Sequence, residues 1–407
     1  MTSACAEHWL FLLKEDAWML LSIALILLLG FALGGLLHRL GIPALLGMMV
    51  AGMILGPFGL DLLSSEILTL SPELRKMALI VILLRGGLSL DLQDLKKVGR
   101  PAFLLCFVPA LFEMTAITWL APKLFQISTL DAAIMGAVVA AVSPAVVVPR
   151  MIEMIGNKIG TKKSIPQMIL AGASVDDIFV IVIFTSLLAM HTGAQTTSFD
   201  LLRVPLSITT GFLVGMLVGW LMATLFRKIH MRDTAKVLIL LSVTFLLVSF
   251  EESFPSIPFS GLLAVMAMGV SLLRFYEVLA NRIMPKFTKI WVGAEILLFA
   301  LVGAAIDLEY LWEAGPLAVL LIIAGLAFRF AGVWTSTSKT ILSPREKLFC
   351  AVAYMPKATV QAAIGAIPLS LGLASGNLIL TVAVLAIMIT APLGAIGIDR
   401  LQRRLLK

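Results

Sequence analysis

Gly172-Ala-Ser-Val-Asp176-Asp177-Ile-Phe-Val-Ile-Val-Ile183 places two adjacent carboxylates midway along an apolar run that extends over 165–190. About 20 apolar residues suffice for a helix to cross the hydrocarbon core of a bilayer, so the run reads as a membrane span. An ionisable group at the centre of such a helix costs at least about 2.5 kcal/mol, and two in succession need a reason. Adjacent helical residues point about 100° apart: one carboxylate is free to face a water-filled cavity while the other faces a partner helix. Two ionised carboxylates this close repel each other, which favours sharing the site with a proton or a cation.

The rest of the chain has the same character. Of 407 residues, 60% are hydrophobic and only 14% charged, against about 25% charged in soluble domains. The net charge of +7 would suit nucleic acid, but the basic residues lie in short loops between apolar spans rather than in one patch. No nucleic-acid partner is therefore expected. Cys5, Cys106 and Cys350 are too widely spaced for a metal set or a disulfide framework. The first apolar stretch has neither a preceding basic run nor a small-residue cleavage site, so it reads as a retained helix.

Apolar segments at 18–38, 42–60, 74–90, 101–121, 130–150, 165–190, 203–226, 235–252, 257–275, 289–306, 315–338, 347–370 and 377–398 give an all-α polytopic membrane protein with about 13 transmembrane helices. Turn residues at Gly41–Pro43, Gly99–Pro101, Gly315–Pro316 and Ser343–Pro344 mark boundaries. With the N-terminus outside, the inward loops and tail hold 23 of the 31 basic residues and the outward loops 5. Positive charge favours the cytoplasmic side, which puts the N-terminus outside and the C-terminus inside.

The two halves repeat at a nearly constant offset. Ile42–Pro43 matches Ile257–Pro258, and Gly87-Leu-Ser-Leu-Asp91 matches Gly303-Ala-Ala-Ile-Asp307. Spans 1–6 then correspond to spans 8–13 with span 7 as linker, and the odd separation inverts one repeat relative to the other. Inverted repeats are typical of secondary transporters, with the substrate site near the midplane.

Away from span ends the intramembrane ionisable residues are Arg85, Glu113, Asp176, Asp177, Glu295, Arg329 and Lys357. Glu113 and Arg329 stand in matching spans at the same offset and carry opposite charge, so they are expected to form a structural ion pair. Spans 5 and 12 each carry an internal proline, at Pro144 and Pro356. Proline removes a backbone donor, and an interrupted membrane helix survives only beside protein or a cavity. Two crossed discontinuous helices result, whose freed carbonyls at Ala141 and Val142 are candidate cation ligands. Lys357, with Thr359 and Gln361, is expected to compensate the exposed helix ends or to pair with an aspartate. Arg85 and Glu295 receive no chemistry, and His8, His38, His191 and His230 read as flanking residues.

Ala141-Val-Ser-Pro-Ala-Val-Val-Val-Pro149, Gly172-Ala-Ser-Val-Asp-Asp177 and Met355-Pro-Lys-Ala-Thr-Val-Gln-Ala-Ala363 together resemble the monovalent cation/proton antiporters, in particular the NHA2-like branch of the sodium/hydrogen exchangers. The resemblance covers essentially the whole chain. It implies the sodium/proton antiporter fold, a homodimer in membrane lipid, elevator-like alternating access, and exchange of Na⁺ or Li⁺ for H⁺ with no cofactor. It implies a secondary transporter rather than an enzyme. The implied division is dimerisation helices in 1–98 and 231–312, a core domain in 99–192 and 313–407, and a linker helix in 193–230.

Asp177 matches the principal cation- and proton-binding carboxylate, with Asp176, Ala141, Val142, Ser143 and Ala173 around it. Relatives that exchange two protons per sodium often carry a lysine in span 11. Arg329 stands there instead and does not deprotonate, which leaves Lys357 as the candidate proton-releasing partner. The short termini point to a bacterial inner membrane. K⁺/H⁺ exchange, a sodium-coupled organic-anion carrier, and a cation channel or membrane sensor are the competing readings. An anion carrier needs no adjacent carboxylates, and a channel needs no alternating site.

Overall fold

A computed structural model describes residues 19–89, 99–191, 198–254 and 257–406. Cys5, His8, Lys14, Asp91, Lys96, Lys97 and Lys407 lie outside the described residues. The helices are α1 (Met19–Arg39), α2 (Ala44–Leu55), α3 (Ser65–Ser89), α4 (Arg100–Leu105), α5 (Val108–Phe125), α6 (Thr129–Ala140), α7 (Pro144–Gly156), α8 (Ile165–His191), α9 (Ser198–Lys228), α10 (Asp233–Ser253), α11 (Gly261–Phe275), α12 (Glu277–Ala304), α13 (Leu308–Ser336), α14 (Pro344–Ala353), α15 (Thr359–Ile364), α16 (Ile367–Ser370) and α17 (Gly376–Leu405). Among the described residues nine helical segments are long and apolar enough to cross a membrane, with shorter apolar helices at Ala44–Leu55, Gly261–Phe275 and Thr359–Ser370.

Local chemistry fixes the helix ends. Ser343 caps α14 in a reciprocal box: its hydroxyl accepts from the Glu346 N–H, and the Glu346 carboxylate accepts from the Ser343 N–H at 2.6 Å. Asp307 caps α13 by accepting from the N–H groups of Glu309 and Tyr310 at 3.0 and 3.2 Å. The repeat motif at 303–307 thus ends on a helix cap, while its glycine serves packing. A Cβ at Gly303 would strike the carbonyl of Met49, as one at Gly52 would strike that of Ala300, so α2 and α12 touch backbone to backbone.

Several boundaries differ from those read in the sequence, among them these three. Gly315–Pro316 is no turn: Pro316 lies inside the continuous α13, its freed carbonyl one turn earlier being close to the helix start. Helix α3 begins at Ser65 and α12 at Glu277, each about a dozen residues or fewer before the apolar run. A helix continues past the bilayer edge wherever its residues favour it, and hydropathy does not register that extension.

Packing separates two groups. Helices α1–α3 and α9–α12 contact mainly one another, and α4–α8 contact mainly one another and α13, α14 and α17. Helix α15 bridges them, resting on α3, α12 and α17. In the most apolar stretch of 129–156 72% of the residues are buried, against 22% in that of α1. That burial permits α6 and α7 to be separated by non-helical residues 141–143 at membrane depth.

Candidate functional site

The two interruptions meet, the first followed by Pro144 at the start of α7 and the second containing Pro356. Ser143 N–H donates to the Pro356 carbonyl at 2.8 Å, joining 141–143 to the second interruption at 354–358. Lys357 N–H donates to the Thr390 hydroxyl at 2.8 Å and Ala358 N–H to the Gln361 side-chain carbonyl at 2.8 Å. Gln361 Nε2 then donates to the carbonyls of Val139 and Ala141 at 3.1 and 2.9 Å. Backbone groups released by the two interruptions are thus paired with each other and with the side chains of Thr390 and Gln361, as an apolar surround favours.

Around this junction five ionisable side chains are buried. Glu113, Asp176, Arg329 and Lys357 are fully inaccessible and Asp177 is 7% exposed. Arg329 is the hub. Its Nη1 donates to Glu113 Oε2 at 2.8 Å and to the Ala140 carbonyl, its Nε to the Tyr354 carbonyl at 2.5 Å, and its Nη2 to Asp176 Oδ2 at 3.2 Å. Lys357 Nζ donates to Glu113 Oε2 at 2.6 Å and the Ala140 carbonyl at 3.3 Å. Asp176 Oδ2 also accepts from the Val142 N–H at 2.7 Å. Gly172, one turn before Asp176, makes room: a Cβ there would collide with the Tyr354 hydroxyl.

The two aspartates therefore differ. Asp176 is held through Oδ2 by a guanidinium and a backbone donor while its Oδ1 is unpartnered; Asp177 Oδ1 likewise has no hydrogen-bond partner among the described residues, and Asp177 has no such clamp. Asp177 lines a cavity of about 350 Å³ between the two helix groups, with Arg85 and Leu79 from α3, Glu295 from α12, Pro144 from α7 and Thr359 from α15. The hydroxyls of Ser143 and Thr359 are likewise buried without a partner. Two carboxylates and two hydroxyls are hard oxygen donors suited to a small cation. Among the described residues no three His, Cys, Asp or Glu side chains are grouped as a metal would require, so a cation here would need the hydroxyl or carbonyl oxygens as well.

Several sequence expectations meet a different geometry. Of the two roles expected for Lys357, it meets the helix end, donating to the Ala140 carbonyl as Gln361 does to those of Val139 and Ala141, and its ionic partner is Glu113, not an aspartate. The Ala141 carbonyl receives Gln361 rather than standing free, and Val142 presents its N–H to Asp176. Ala173 is a buried methyl group inside unbroken α8, with no side-chain donor to offer. Glu113 and Arg329 do pair across α5 and α13, but Arg329 also binds Asp176, so the pair is part of the site and not a separate scaffold. Arg85 and Glu295, to which the sequence assigns no chemistry, both share the Asp177 cavity. Their intramembrane charge was the available signal; their convergence on one cavity needs the packing of α3 on α12.

A family profile described as sodium/hydrogen exchanger, transmembrane, matches residues 23–403. The chain is 31% identical over 382 residues to Homo sapiens sodium/hydrogen exchanger 9B2, covering 90% of this chain and 70% of that protein. It is 30% identical over 371 residues to Homo sapiens sodium/hydrogen exchanger 9B1, covering 87% and 71%. Its fold matches that of the sodium proton antiporter MjNhaP1 from Methanocaldococcus jannaschii with a TM-score of 0.81, 20% identity, and coverage of 94% of this chain and 97% of that one. The chain is a multi-pass membrane protein and belongs to the sodium/hydrogen exchanger family.

Proposed function

We propose that the chain is a secondary active transporter that exchanges Na⁺ or Li⁺ for H⁺, the two competing for Asp177 beside Asp176. The observation that carries this reading is the asymmetry of the pair: Asp176 is clamped through Oδ2 and does not line the cavity, whereas Asp177 lines it without such a clamp. The clamped carboxylate supplies fixed negative charge, and the free one takes the proton or the cation.

Charge counting supports a one-for-one exchange. Three carboxylates and two cations form the cluster, leaving one formal negative charge when all are ionised. One proton or one Na⁺ neutralises it. Arg329 retains its proton, and Lys357 is engaged by Glu113, so neither is required to release one.

The cavity lies between the two helix groups, which suits alternating access by motion of one group against the other. In this reading 99–192 and 313–407 form the moving core, 1–98 and 231–312 the dimerisation domain, and 193–230 the linker. The thirteen crossings form inverted repeats whose interruptions cross, the protein is a homodimer in a bacterial inner membrane, and the N-terminus is outside. Ser89, Pro149 and Thr288 line the cavity at ends of their helices that the N-out orientation assigns to the cytoplasm, and in this reading the conformation is inward-open.

Purified protein in liposomes with a lumenal pH dye, titrated with Na⁺, Li⁺ and K⁺, tests the assignment. Asp177→Asn is expected to abolish cation-dependent proton movement while unfolding as wild type does. Wild-type exchange by that variant would sink the site, and a response to K⁺ alone would reassign the ion. Rates that depend on an imposed membrane voltage would overturn one-for-one exchange.

A further inference from the structure

A second cavity, of about 570 Å³, lies between the loop that follows α7 and the end of α17. Lys158, Lys162, Lys163 and Arg403 line it, with Gln402 and a single carboxylate, Glu346. None of these belongs to the cation site. Glu346 is already engaged: its carboxylate accepts from Lys163 Nζ at 2.8 Å and from the Ser343 N–H of the helix cap. That pair cancels, leaving Lys158, Lys162 and Arg403 exposed around the cavity, with no carboxylate partner among the described residues.

The loop is built at a conformational cost to present one of these cations. Helix α7 ends in a Schellman turn, with Ile159 N–H donating to the Met154 carbonyl at 2.9 Å and Lys158 N–H to that of Ile155 at 3.1 Å. The left-handed position of that turn is normally glycine or asparagine, yet Lys158 occupies it at φ +56°. Gly160 follows at φ +69°, and a Cβ there would come within 3.1 Å of the Leu406 side chain. Loop and C-terminal helix are therefore packed together, and the cavity is formed by the fold rather than by two loose ends.

We propose that this cavity binds a phosphate group, held by Lys158, Lys162 and Arg403, and presented by an anionic lipid headgroup or by a soluble phosphate compound. Two ammonium groups and one guanidinium around a concavity match a compact multivalent anion, the guanidinium adding a two-pronged contact. Apolar Ile159 and Leu406 at the same cavity fit the glycerol and acyl portion of a lipid. The occupant would join the α7–α8 loop, α14 and α17, three parts of the helix group that carries the aspartates.

The test is thermal unfolding of the full chain in neutral detergent. One arm compares inorganic phosphate with chloride at matched sodium, pH and ionic strength; the other compares micelles doped with phosphatidylglycerol or phosphatidylcholine. At least one anionic probe is expected to raise Tm by roughly 3 °C or more at saturation. The double variant Lys162→Gln/Arg403→Gln loses most of that rise. Lys158→Gly is the control for folding, since glycine suits the turn: its unliganded Tm is expected at or slightly above wild type, with the probe response reduced. A response to phosphate alone assigns a soluble ligand, and a response to phosphatidylglycerol alone assigns a lipid. No response to either probe, or an undiminished response in both variants, overturns the proposal.

Discussion

The interruptions at 141–143 and 354–358 are the same backbone event put to opposite electrostatic use. The first, Ala-Val-Ser, carries no charge; its Val142 N–H points at Asp176, and the carbonyls at and before it receive Gln361, Lys357 and Arg329. The second carries Lys357 and turns that charge away from the aspartates onto Glu113. Its own carbonyls at Tyr354 and Pro356 are taken by Arg329 and Ser143. A neutral interruption thus serves an anion through its backbone, while a cationic one serves a distant carboxylate through its side chain. The charge that faces each interruption determines its role.

The largest expected effect comes from removing the residue that touches both interruptions. Arg329→Ala strands Asp176, whose one cationic partner among the described residues it is, leaves Glu113 with Lys357 alone, and should cost about 3–5 kcal/mol in chemical denaturation. Adding Glu113→Ala should recover part of the loss; strictly additive losses would mean the two do not interact. Lys357→Met leaves Glu113 with Arg329 as partner, so a smaller loss of roughly 1.5–3 kcal/mol is expected. An effect as large as that of Arg329→Ala would make the two interruptions equivalent. Gln361→Leu frees the carbonyls of Val139 and Ala141 and the Ala358 N–H, at roughly 1–3 kcal/mol. At the periphery, Arg150→Ala removes a half-exposed bridge from α7 to Asp399 on α17, worth under about 1 kcal/mol in the same measurement.

The aspartate pair and both interruptions were legible because each breaks a rule of the bilayer: charge without solvent, and proline without a backbone partner. The Glu113–Arg329 pairing was legible from one shared offset. The reach of Arg329 to Asp176 was not, since a guanidinium donates in several directions and the sequence says nothing of which neighbours lie within its span. The Ala141 carbonyl looked available because nothing local to it revealed that Gln361, 220 residues on, would arrive there. The early starts of α3 and α12 were hidden because hydropathy reports where lipid is, not where a helix begins.

The odd formal charge of the five-membered cluster also bears on leakage. Under the exchange proposed here, a core carrying neither proton nor cation would take one uncompensated negative charge through a low-dielectric surround, a displacement that burial makes costly. A loaded core is neutral and moves without that penalty. Obligatory coupling then needs no separate latch. The idle return is discouraged by the same arginine, lysine and three carboxylates that build the site.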